Sequence, residues 1–141
     1  VMSAAFKAKA ISVMEAVNAY ELSSANKHGL IPDHKFPEIR WDEETRAENP
    51  EEMSNSEIKE KFQLLDNQRN QQKREVCRKC FQTGKRGIIY GLKFFYSGDE
   101  NWPTDIPRIG KEAEKGCVGC GWYDIQKWRE SLNSFILENS K

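Results

Sequence analysis

The stretch that decides the fold begins with Ile31-Pro32-Asp33-His34-Lys35-Phe36-Pro37 and continues in Phe62-Gln63-Leu64-Leu65 and Asn70-Gln71-Gln72-Lys73. The first segment belongs to a partly alternating apolar and polar run over residues 30–41. Its two prolines limit ladder hydrogen bonding, which favours an edge strand or a bent strand. The second segment is a short apolar run that is typical of another strand.

A helix follows the second predicted strand. Asp66 is a good N-cap residue, and the sequence predicts a helix over 67–78. Two strands and this helix would bring Asp33, His34 and Asn70 to one place, although they are far apart in the chain. Because adjacent strand residues point to opposite faces, Asp33 and His34 can share a site only if the strand is distorted or the site lies at its edge.

These three side chains suit the hydrolysis of a phosphodiester bond. Histidine is a suitable base because its pKa lies near neutrality. A carboxylate and the carbonyl oxygen of an amide are ligands for a hard divalent cation. Lys73 and Arg74 lie on the same predicted helix face as Asn70 and could bind phosphate. The alternative is that His34 is a structural histidine with no part in catalysis.

The three segments together resemble the HNH nucleases, which have a ββα-metal fold. That family has an Asp-His strand with a proline three residues beyond, a second strand of the Leu-Gln-Leu-Leu type, and a helix with His or Asn followed three residues later by Lys. The resemblance covers residues 30–80 and implies that His34 is the general base. It also implies that Asp33 and Asn70 hold a catalytic Mg²⁺ or Mn²⁺. Asn67 is a rival to Asn70, but only Asn70 has a lysine three residues on.

The four cysteines form two CxxC pairs, Cys77/Cys80 and Cys117/Cys120. Each pair is predicted to place two thiolates on one tight turn, and two such turns complete a tetrahedral zinc sphere. With all four positions taken by protein, the Zn²⁺ would be structural. Buried free thiols or a redox pair are the alternatives, but a redox CxxC needs a βαβ setting that the sequence does not indicate.

Charge is strongly segregated although the chain as a whole is neutral, with 22 basic and 22 acidic residues. Residues 33–57 contain nine acidic and three basic residues, whereas residues 59–93 contain ten basic and three acidic residues. The basic block is a candidate surface for a polyanion, or simply a solvated helix face. The residues expected to contact nucleic acid are Lys73, Arg74, Arg69 and Lys35.

The rest of the chain surrounds this region. An apolar stripe predicts a helix over 3–24, and residues 42–56 indicate a long acidic loop in which a short helix at 50–53 is one alternative. Residues 88–96 predict a strand with a bulge or a tight hairpin. Cys117–Gly121 precedes a final helix that begins near Asp124. The expected fold class is α+β in a single domain over 1–141, with an N-terminal helix (1–29), a ββα-metal core (30–80) and a zinc-clamped β/loop region with a C-terminal helix (77–141).

The function implied by the resemblance is that of a metal-dependent DNA endonuclease, a type II restriction enzyme or its catalytic domain. The alternative is a zinc-stabilised module that binds nucleic acid without catalysis. Double-stranded DNA is the expected substrate, and a homodimer or a place in a larger restriction enzyme is expected because two strands must be cut. The sequence has no run of about 18 apolar residues and no secretory signal pattern, so a cytoplasmic protein is expected.

Overall fold

The computed structural model describes residues 2–24, 29–46 and 48–140. The chain has a mixed α+β architecture, as predicted, and its only sheet over these residues has two strands. No helix within these residues is long and apolar enough to cross a membrane. The elements in chain order are α1 (Ala4–Val13), β1 (Leu30–His34), α2 (Glu43–Arg46), α3 (Asn55–Lys61), β2 (Phe62–Asp66), α4 (Asn67–Thr83), α5 (Glu114–Cys117) and α6 (Ile125–Asn139).

The two strands pair antiparallel, with Leu30 opposite Asp66 and His34 opposite Phe62. This register places Asp33 directly across from Gln63. In a two-stranded sheet both strands are edge strands. An edge strand tolerates a proline such as Pro32, because the missing N–H can be on the side that faces away from the partner strand. The helix α4 follows β2 immediately and contacts both strands. The order strand, strand, helix therefore agrees with the sequence prediction.

The helices α3 and α4 begin at side-chain caps. Ser54 caps α3, and its hydroxyl and the Glu57 carboxylate form a reciprocal capping box. Asp66 caps α4 as predicted, because its carboxylate accepts from the Arg69 amide at 2.8 Å. The helix continues to Thr83, five residues beyond the predicted end at residue 78, and stops at Gly84 in the left-handed region (φ 73°).

The N-terminal helix is much shorter than the prediction of a helix over residues 3–24, because α1 ends at Val13. Glu15 and Ala16 both have positive φ, so the backbone leaves the helix there. The Asn18 side chain accepts the amides of Tyr20 and Glu21 and donates to Asp66 Oδ2 at 3.1 Å. These tertiary and turn contacts replace helical hydrogen bonds. Residues 25–28, which follow the predicted helix within the N-terminal region 1–29, lie outside the described residues.

Residues 88–96 do not form a strand. They contain an isolated bridge between Ile89 and Leu92, with Tyr90 and Gly91 at positive φ between them. This tight turn is closer to the predicted hairpin than to the predicted bulged strand. Ile89 is buried in the turn, while Ile88 and Leu92 are about half exposed.

The core consists of three apolar clusters. The largest contains Trp122, Ile125 and Trp128 of the C-terminal region together with Leu65 and Ile89. A second joins α1 to α3 and β2 through four buried residues: Phe6, Ala10, Ile58 and Phe62. A third packs around three more: Phe36, Ala113 and Cys117. Strand β2 contributes to both of the first two clusters, Leu65 to one and Phe62 to the other.

Candidate active site

The carboxylate of Asp33 is the centre of a buried hydrogen-bond network. Only 6% of this residue is exposed. Its Oδ2 accepts from Lys73 Nζ at 2.6 Å and from Gln63 Nε2 at 3.1 Å, and its Oδ1 accepts from Asn70 Nδ2 at 3.0 Å. The structure therefore brings together Asp33 and Asn70, as predicted, on β1 and α4. Both carboxylate oxygens accept from protein donors, Oδ2 from two and Oδ1 from one.

Lys73 is buried, which contradicts the prediction that it binds phosphate. It is 2% exposed, and its ammonium also donates to the main-chain oxygens of His34 at 2.8 Å and Lys35 at 3.0 Å. Lys35 is buried too, and pairs with Asp124 at 3.0 Å. A buried lysine needs a charged partner, and each ammonium already has one. Neither lysine is therefore available to a DNA backbone.

The His34 ring lies between aromatic side chains at the end of β1. Its centroid is 4.5 Å from the Phe62 ring and 4.7 Å from the Trp41 ring. Burial, together with a smaller effect of the nearby Lys73 ammonium, lowers the pKa of His34 to about 4. The imidazole is therefore neutral at physiological pH and has a nitrogen able to accept a proton.

A cleft of about 440 Å³ opens beside these residues, and its lining includes Asp33, His34 and Asn70. The side chains of Asp33 and His34 have different neighbours, since Asp33 contacts α4 while His34 packs on Trp41 and Phe62. Both residues nevertheless line the cleft. Arg74 is exposed and also lines the cleft. Of the four residues expected to contact nucleic acid, Lys73 and Arg74 line this cleft, and only Arg74 is exposed there.

Arg69 faces away from the cleft. Its guanidinium lies over the Tyr20 ring at 4.2 Å and 3.7 Å from the Glu21 carboxylate. Sequence reasoning missed two residues instead. Lys7 of α1 is exposed on the cleft, and Gln63 holds the Asp33 carboxylate. Gln63 could have been found from the strand register, whereas nothing local in the sequence places α1 beside β1.

The four cysteines are not in disulfides and line one small space of about 20 Å³. Cys77 and Cys80 lie on α4 and not on the predicted tight turn, because that helix runs on to Thr83. Cys117 and Cys120 do form a turn, closed by the Cys120 amide donating to the Cys117 carbonyl at 3.1 Å. Burial raises the pKa of the Cys117 thiol to about 12.

The four thiols surround this space without converging on one point. Over residues 2–24, 29–46 and 48–140, no three Cys, His, Asp or Glu side chains are gathered closely enough to hold an ion as they stand. The donor set nevertheless suits zinc, which prefers four sulfur ligands in structural sites.

These features define a small α+β protein with a buried carboxylate, a neutral histidine and an amide around one cleft, and with four cysteines around a second, smaller space. The chain belongs to the ICEA family, since the family model described as ICEA Protein matches residues 11–140.

One curated relative is a restriction enzyme. Over 76 residues the chain is 36% identical to the type II restriction enzyme NlaIII of Neisseria lactamica. The match covers 51% of this chain and 29% of that enzyme, so the chain corresponds to less than a third of its length. No solved structure matches the chain.

Proposed function

We propose that this protein is a metal-dependent DNA endonuclease of the HNH type, related to type II restriction enzymes. The observation that carries the proposal is the meeting of Asp33, His34 and Asn70 from two separate elements at one cleft. The similarity to NlaIII, a type II restriction enzyme, supports the same class of activity. The substrate would be double-stranded DNA.

His34 would act as the general base. Its imidazole is neutral, lines the cleft and can accept a proton from a water molecule placed beside the scissile phosphate. The Phe62 and Trp41 rings restrict the orientation of the imidazole, so the accepting nitrogen is held in place. A lowered pKa keeps the base unprotonated, and it also makes it a weaker base than a free imidazole.

Asp33 and Asn70 would hold the catalytic Mg²⁺ or Mn²⁺. When bound, such an ion polarises the phosphate and stabilises the departing 3′ oxygen. An amide can turn its oxygen toward a cation beside the carboxylate, which Asn70 already contacts. Arg74 and Lys7, both exposed at the cleft, would hold the DNA backbone by charge. Lys73 would instead neutralise Asp33 and fix the main chain of β1.

The cysteines would bind a structural Zn²⁺ through Cys77, Cys80, Cys117 and Cys120. All four line one space, and none is oxidised to a disulfide. A structural site of this kind would fasten α4 to the turn after α5, and chelation should unfold this part of the chain. Metal analysis of freshly purified protein tests the proposal, and a zinc content well below one equivalent would contradict it.

Plasmid cleavage tests the nuclease proposal directly. Supercoiled plasmid is incubated with the protein and Mg²⁺ or Mn²⁺, and in parallel with EDTA added after the zinc site is loaded. H34A and N70A are expected to lose at least about 100-fold in cleavage rate, since each removes a group from the reaction. N67A is the matched control, because Asn67 is exposed in the first turn of α4 and does not line the cleft. Near-normal cleavage by H34A would refute the assignment.

A second candidate is a zinc-stabilised module that binds nucleic acid without cutting it. It is favoured by the engagement of both Asp33 oxygens, which leaves no free carboxylate for an ion unless Lys73 or Asn70 shifts. The plasmid assay separates the two functions. Binding to DNA without metal-dependent cleavage, in protein that contains zinc, would support this alternative.

Cleavage of both DNA strands would need an assembly with two active sites. Two strands need two active sites, so either a homodimer or a larger restriction enzyme that contains this chain would supply the second site. Sedimentation equilibrium of the free protein, and again with a short DNA duplex, would distinguish a dimer from a monomer.

A further inference from the structure

Two arginines beside the cysteines are buried without an acidic partner. Arg40 is 2% exposed and Arg86 is 5% exposed. Within the described part of the chain, neither forms an ion pair with a carboxylate. A buried charge is costly unless an opposite charge lies close to it. Both guanidinium groups therefore lie in the interior with no carboxylate beside them, and a nearby anion would offset that cost.

Arg40 reaches the cysteines directly. Its Nη2 lies 3.3 Å from Cys80 Sγ, and its Nη1 donates to the Arg108 carbonyl at 3.0 Å. The guanidinium stacks over the Trp102 ring at 3.7 Å, which covers one face of it. Of the carbonyl, the indole ring and the sulfur that this guanidinium contacts, only the Cys80 sulfur can be negatively charged.

Arg86 encloses the second cysteine pair from the other side. It donates to the carbonyls of Gly116 and Val118, the residues directly before and after Cys117. It also donates to the Ser97 carbonyl at 2.7 Å. Arg40 and Arg86 line the same small space as all four cysteines. The two cations therefore flank the thiol cluster from two different segments of the chain.

We propose that Arg40 and Arg86 are the counter-charges of a doubly negative four-thiolate metal centre. Four thiolates around one divalent ion leave two negative charges, which two guanidinium groups neutralise. The inference rests on the zinc site proposed above and adds the residues that set its charge. Neutral thiols or a disulfide would leave both arginines buried without any anion, so the arginines themselves favour the metal-bound state.

The test measures zinc affinity by competition with a chromophoric chelator. R40M and R86M remove a charge while keeping an unbranched side chain, and each is expected to weaken zinc binding by about 10–100-fold, the usual effect of losing a partner of the ligands. R40K keeps the charge and should remain within about threefold of the unmodified protein. Co²⁺ loading, followed by its thiolate absorption, should need a higher pH in R40M and R86M than in R40K.

R129M is the matched control. Arg129 also donates to main-chain carbonyls, those of Ala19 and Tyr20, but lies away from the cysteine space. It should lower stability without changing zinc affinity by more than about twofold, since the loss of carbonyl contacts alone does not affect thiolates. R129M thus shows how much zinc affinity changes when an arginine that binds only main-chain carbonyls is lost. A larger change in R40M or R86M is then due to the charge beside the cysteines.

The outcomes separate the two proposals. Unmodified protein without zinc would overturn the zinc site and the counter-charge inference together, whatever its nuclease activity. Zinc in the unmodified protein with equal affinity in R40M and R86M would overturn the counter-charge inference alone. An equal loss in R40M and R40K would also overturn it, because geometry and not charge would then be responsible. If R40M does not fold, R86M and R86K carry the same comparison independently.

Discussion

The sharpest test of the buried network is the replacement of Lys73 by methionine. Lys73 and Asp33 have side chains that are 3% and 7% exposed, and their charged atoms are 2.6 Å apart. The ammonium also satisfies two main-chain oxygens at the end of β1. Methionine fills a similar volume but supplies no charge and no donor. K73M would therefore leave the Asp33 carboxylate buried without its cation.

The expected loss is large. Breaking a buried ion pair by removing one partner costs about 3–5 kcal/mol, because the remaining charge is left without compensation. Domains of this size are stable by only about 5–15 kcal/mol in total. K73M is therefore expected to be poorly folded or marginally stable. The double variant D33N/K73M removes both charges, so its loss should be smaller than the sum of the two single losses by about 2–3 kcal/mol.

Urea unfolding followed by tryptophan fluorescence measures these losses, since the chain contains four tryptophans. R78M is the matched control on the same helix. Its ion pair with Glu75 is exposed, with side chains 45% and 55% accessible, so removing it should change stability far less than removing the buried pair. A loss in K73M no larger than that in R78M, or strict additivity in the double variant, would refute this account of the network.

Three further predictions concern other parts of the chain. Burial holds the pKa of His34 at about 4, below its value in the unfolded chain, so protonation favours the unfolded state. The free energy of unfolding should therefore fall by up to about 3 kcal/mol between pH 6.5 and pH 4. Unfolding curves measured without added divalent ions should show a smaller fall in H34N. S54A should destabilise by about 1 kcal/mol through loss of the α3 cap, whereas S56A should be nearly neutral, as urea unfolding can measure. G119A should lower the free energy of unfolding by at least about 2 kcal/mol, because its Cβ would lie 1.9 Å from a main-chain oxygen. G84A has open space around its Cβ and should lower it by only about 1 kcal/mol, the cost of the positive φ. Thermal unfolding of the two variants measures both values.

Local signals predicted the elements around the cleft well. The cap Asp66 lies where the sequence indicated, because an N-cap depends only on its own side chain and the next three residues. The final helix is expected to begin near Asp124, and α6 begins at Ile125 with Asp124 as its N-cap. The apolar run 62–65 became β2, and the proline-containing segment before it became its partner strand. The presence of Asp33 and Asn70 at one place follows from the order of these elements.

Contacts between distant residues could not be predicted in the same way. Lys73 stands in a polar helix and gives no sign of burial, since its partner Asp33 lies forty residues earlier. The early end of α1 has a similar cause, because Asn18 and Ala19 bond to Asp66 and Leu64 instead of continuing the helix. In both cases tertiary hydrogen bonds overrode the local preference.

The pairing of His34 with Phe62 means that residues 35–61 leave the sheet and return to it at the same point. Parts of this excursion carry little of the structure, since neither α2 nor the 3-10 turn Pro50–Glu52 buries a residue. Insertions or deletions in these turns would change the length of the acidic segment without shifting Asp33 relative to Asn70. The molecule thus keeps its buried charges on β1 and α4 and places in another part of the chain a segment that buries little.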